Sequence, residues 1–121
     1  SACSTREVKP SAPEIERVEA ALAEHACVGD LGGWQRIYYY HPKYFGDELA
    51  LAAKEGRPPR SSGHVRTLIG IELVRAGQGQ MDPAVAVSLA EPPYQGDGQG
   101  PPVRGQFDIR DGRLTLVGCG E

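Results

Sequence analysis

The chain has 121 residues, 40% hydrophobic and 24% charged, the composition of one globular domain able to bury roughly two-thirds of its unfolded surface. Thirteen basic residues against sixteen acidic ones leave a net charge of −3, which provides no electrostatic footprint for nucleic acid. The longest apolar run, TLIGIELV, is interrupted by Glu72 and is far too short to span a bilayer as a helix.

Residues 1–10 read as a polar tether and 11–121 as a single domain. Ser11-Ala12-Pro13-Glu14 has the form of a capping box, with proline in the first turn where no intrahelical bond is lost. Ile15, Val18, Leu22 and Ala26 follow at helical spacing, so an amphipathic helix of roughly four turns is predicted, stopped by Gly29 and Gly32-Gly33. Cys27 lies off the apolar stripe, at or past the helix end. WQRIYYY, Trp34 to Tyr40, reads as a strand from its aromatic content. GDELALAAKEG then offers Asp47 as an N-cap and Gly56 as a stop, for a short second helix or a helical excursion within a long hairpin connection. RPPRSSG is a loop.

HVRTLIGIELVRA, His64 to Ala76, alternates as a long strand does. Val65, Thr67, Ile69, Ile71 and Leu73 share one face, while His64, Arg66, Gly70 and Glu72 share the other. MDPAVAVSLAEPP has a helix-like start at Asp82-Pro83, but the alternation of Val85, Val87 and Leu89 favours a strand. VRGQFDIRDGRLTLVGCG reads as a hairpin around Asp111-Gly112, pairing Ile109 with Leu114 and Phe107 with Leu116. These elements make an α+β domain: an N-terminal helix packed on a four- to five-stranded, mostly antiparallel sheet. The helix-then-sheet order resembles the broad cystatin-like group of folds.

The three cysteines, Cys3, Cys27 and Cys119, have no C-x-x-C spacing. Cys27 and Cys119 suit one long-range disulfide in an oxidising compartment, although the hairpin register puts Cys119 opposite Arg104, away from the Phe107 face. A bulge at Gly118 or a bridge around the sheet edge would reconcile the two. Ser1-Ala2-Cys3 resembles the end of the lipobox of bacterial lipoproteins, whose Leu would precede Ser1. The resemblance implies lipidation at Cys3 and a periplasmic domain anchored to a Gram-negative membrane. Ser4 after the cysteine, rather than Asp, implies the outer membrane.

Six of the eight aromatic residues fall between Trp34 and Phe45. The candidate binding patch is Trp34, Tyr38, Tyr40, Tyr44 and Phe45, with Arg57 and Arg60 of the following basic loop, because such rings stack on sugars or pack against protein partners. No metal and no cofactor is expected: His25, His41 and His64 are scattered without an i, i+4 pair. There is no G-x-S-x-G, and the glycines of GDGQGPP lack the strand–turn–helix context of a phosphate loop. The function expected is therefore a small non-catalytic envelope lipoprotein that binds an envelope protein or a glycan, touches the membrane through its lipid only and binds no nucleic acid. The alternative is a small envelope enzyme or ligand carrier with a pocket between helix and sheet.

Overall fold

A computed structural model describes residues 8–75, 86–93 and 103–119. Cys3 and most of the tether, the start of the 81–93 segment and the GDGQGPP loop lie outside the described residues. The elements in chain order are α1 (Ala12–Ala23), a 3-10 turn (Leu31–Gly33), β1 (Trp34–Lys43), α2 (Glu48–Glu55), β2 (Gly63–Arg75), β3 (Ala86–Ser88), β4 (Val103–Asp108) and β5 (Arg113–Val117). The five strands form one sheet in the order β3-β1-β2-β4-β5. The pairs β1–β2, β2–β4 and β4–β5 are antiparallel, and only β3 runs parallel to β1. This is the expected α+β class, with α1 packed on the sheet.

The capping box forms as its residues dictate. Glu14 N donates to Ser11 Oγ, and Ser11 N donates to Glu14 Oε1 at 2.9 Å. Val18 and Leu22 are fully buried, so the helix presents one short stripe to the sheet. It ends at Ala23, a turn earlier than the periodicity through Ala26 suggests. The chain instead folds into tight turns, with His25 N donating to Leu22 O and Val28 N to His25 O. Those turns carry Cys27 away from the helix axis.

Under α1 lie Trp34, Tyr38 and Tyr40 of β1, then Ile69, Ile71 and Leu73 of β2, then Val103 and Phe107 of β4, all buried. Polar atoms on this face are paired, as burial requires. Trp34 Nε1 donates to Val28 O at 2.8 Å, Arg36 Nε and Tyr38 Oη both donate to Glu19 Oε2, and Tyr40 Oη donates to Glu14 Oε1. Two helix carboxylates thus clamp the aromatic strand, satisfying three donors that the apolar core could not.

The hairpin differs from its expected register. Phe107 pairs with Leu114 and Asp108 with Arg113, so the loop holds four residues, 109–112, rather than two. The cause is local: Asp108 Oδ1 accepts from Arg110 N, Asp108 O accepts from Gly112 N, and Gly112 adopts φ +71°, a left-handed conformation that favours glycine. The slip is two residues, so each side chain keeps its face. Val117 rather than Cys119 now stands opposite Arg104. Beyond the ladder, Gly118 takes φ +85° and breaks the alternation, bringing Cys119 against the α1-side core. There it forms a disulfide with Cys27, the Cα atoms 5.7 Å apart, within the ordinary range.

Candidate functional site

The sheet's second face carries Tyr39, Glu72, Arg104 and Gln106, the residues that alternate with the core set. Among the described residues it bears a cleft of about 500 Å³, a size common for small-ligand sites. Its floor is set by strand register: Tyr39 opposes Gly70, and Gly70 opposes Gln106, while Glu72 opposes Arg104. The Tyr39 ring lies across Gly70 so closely that a Cβ there would come within 2.3 Å of ring carbon Cε2. Glycine is therefore required for the ring to lie where it does. Tyr39 Oη donates to Glu72 Oε2 at 2.9 Å, and Glu72 is only 3% exposed. Burial, then the neighbouring Glu72 carboxylate, pushes the Tyr39 phenol well above its usual range, with Arg104 pulling in the opposite direction.

The walls come from the segments flanking the strands. Tyr44 from the β1–α2 connection, Leu49 of α2, His41 of β1 and the Pro92-Pro93 pair complete the lining. Glu48 holds α2 and the following loop together by accepting from Arg57 Nη1 at 2.6 Å and from Arg60 N at 2.8 Å. These hydrogen bonds keep the Glu48 carboxyl far below its usual range, at about 2. Glu91 accepts from Ser61 Oγ at 3.0 Å and lies 2.8 Å from His64 Nε2, while Leu89 N donates to Tyr38 O. Together these contacts fix the segment that delivers the two prolines. A smaller hollow of about 220 Å³ continues over β5, lined by Arg104, Gly105, Gln106, Thr115 and Val117.

The expected patch divides between core and surface. Trp34, Tyr38 and Tyr40 are core residues, 3%, 0% and 7% exposed, because the even-numbered positions of β1 face α1; they are withdrawn from any binding surface. Tyr44 lines the cleft, and Phe45 stands outside it at 84% exposure. Arg57 is tied to Glu48 and Glu55, so its charge is spent within the fold. Arg60 contributes its backbone to the same knot. The residues that line the cleft floor were absent from that patch, although the signal existed: Glu72 interrupts TLIGIELV, and Arg104 and Gln106 alternate with Val103, Gly105 and Phe107.

A second cluster joins His25, Cys27 and Cys119, whose ligand atoms all lie within 4.8 Å of one another. His25 Nδ1 is 3.1 Å from Cys27 Sγ. With both sulfurs spent on each other, the imidazole is the one ligand left to a metal. No helix among the described residues is long and apolar enough to cross a membrane. No protein-family model, no curated protein and no solved structure matches the chain.

Proposed function

We propose that the chain is a small bacterial cell-envelope lipoprotein, tethered through Cys3, whose domain binds a partner or glycan and catalyses nothing. The observation that carries the binding role is the cleft on the second sheet face. It combines two tyrosine rings, Tyr39 and Tyr44, with the polar side chains of Arg104 and Gln106, the mixture of flat apolar area and oriented polar groups that small-ligand sites use. The envelope assignment is supported by the lipobox-like Ser1-Ala2-Cys3 and by the Cys27–Cys119 bridge, which suits an oxidising compartment. The ligand-carrier reading draws on the same cleft, since Leu49 of α2 forms part of its wall; the pocket then lies between the sheet and α2, not between the sheet and α1.

The test is co-sedimentation of the purified chain carrying Cys3→Ser in every version, so that no acyl anchor drives it, with isolated Gram-negative envelope. The proposal expects the wild type to sediment and Tyr44→Ala and Arg104→Ala to stay in solution, with Glu16→Ala on the outer side of α1 behaving as wild type. Equal sedimentation of all four proteins contradicts a binding role for the cleft.

A further inference from the structure

Resting on that reading of the cleft, we infer that its ligand is an acidic saccharide, a short carbohydrate chain whose carboxylate pairs with Arg104. The two hollows share Arg104, Gly105 and Gln106, so they form one groove rather than two sites. It runs across the strands: Gly70, Gln106 and Thr115 are successive partners in one row, and Glu72, Arg104 and Val117 in the next. From β1 to β5 the sheet is about 14 Å wide at the usual interstrand spacing of about 4.8 Å, the reach of a short oligosaccharide.

Charge distinguishes the ligand. Glu72 is buried and already accepts from Tyr39 Oη, whereas Arg104 is exposed at the junction of both hollows. No hydrogen bond or ion pair with a described residue occupies its guanidinium. That planar fork matches a carboxylate in two-point geometry, and it does so better than an ammonium would.

The groove crosses the face of the sheet, where backbone N–H and C=O groups are spent on the ladder, so an extended peptide would find no strand to pair with. Recognition falls to side chains instead: tyrosine faces for stacking, and amide and guanidinium groups for hydrogen bonds. A carbohydrate carries its polarity on its periphery and its apolar faces on its rings, which is the complement of this lining.

The experiment titrates the ¹⁵N-labelled chain with trigalacturonate and with its carboxyl-reduced neutral counterpart, following amide shifts. The inference expects shifts centred on Gly70, Arg104, Gln106 and Thr115, and affinity for trigalacturonate at least tenfold above that for the neutral sugar. Arg104→Gln, checked as folded by its own amide spectrum, should abolish that difference by weakening trigalacturonate far more than the neutral sugar. Equal affinities, an ineffective Arg104→Gln, shifts confined to other surfaces, or tighter binding of a triglutamate peptide would each overturn it. If neither sugar binds while co-sedimentation with envelope still depends on Tyr44 and Arg104, the ligand class fails and the cleft reading stands. If that dependence is also absent, both fail.

Discussion

Two glycines on neighbouring strands respond differently to the same added methyl group, and the difference follows from what stands over each. At Gly70 the obstacle is the Tyr39 ring, whose nearest atom is 2.3 Å from an ideal Cβ; at Gly105 it is Leu116 Cδ2 at 2.4 Å together with the Thr115 carbonyl oxygen at 2.5 Å. A side chain can swing away, but a backbone carbonyl in a paired strand cannot. Gly70→Ala is expected to cost about 1–3 kcal/mol, the usual range for overpacking, and to displace the Tyr39 ring from the cleft. Gly105→Ala is expected to cost more, because it forces β4 and β5 apart. Urea unfolding of both variants checks the order, which a larger loss for Gly70→Ala would reverse.

The three consecutive tyrosines of β1 also make a pH prediction. Burial first, and then the hydrogen bond to Glu14, pushes the Tyr40 phenol up to about 12. Tyr38 is raised further by burial and Glu19, and Tyr39 by burial and Glu72. An unfolded tyrosine titrates near about 10, so above that pH the folded chain holds these protons and the unfolded chain does not. Stability is therefore complete below about pH 10 and is lost as pH rises through about 12. Tyrosinate absorbance should appear together with loss of the near-ultraviolet circular dichroism; ionisation of all five tyrosines in a still-folded chain would refute the clamp.

Among the elements, α1 is held by a narrow stripe and two carboxylates. Leu22→Ala, at a fully buried position, should cost about 2–5 kcal/mol in denaturant unfolding. On the opposite side, α2 and the loop after it depend on Glu48. Its depressed carboxyl contributes stability that is complete above its unfolded value near about 4.3 and is lost as pH falls toward about 2. Glu48→Gln should accelerate amide exchange at Arg60, whose N–H loses its carboxylate acceptor, and leave exchange in β2 unchanged.

These elements were legible to different depths. The capping box, the alternation of β2 and the aromatic content of β1 identified three of them from local chemistry alone. The face assignment in β1 was not legible, because Trp34, Tyr38 and Tyr40 on one side and Tyr39 on the other are equally fit to be core or surface. The covering helix decides between them. The hairpin register turned on Asp108 capturing Arg110 N, a side-chain contact that competes with the two-residue turn expected of Asp111-Gly112. The cleft was the least visible feature: its floor and walls are drawn from β1, α2, β2, β4 and the 91–93 segment, and no stretch of sequence contains the set.

For the whole molecule, the disulfide joins the turn after α1 to the end of β5 across 92 residues of sequence. Closing so long a loop in the unfolded chain should be worth roughly 2–5 kcal/mol, and the paired Cys27→Ser, Cys119→Ser variant should unfold at correspondingly lower denaturant. The proposed tether at Cys3 and the Cys27–Cys119 bridge are mutually consistent, because disulfides persist in oxidising compartments. The most direct measurement is the intact mass of the complete gene product expressed in a Gram-negative host, before and after reduction. The account predicts a gain matching acylation at Cys3 and a two-dalton deficit that reduction removes. An unacylated chain with three free thiols would contradict it.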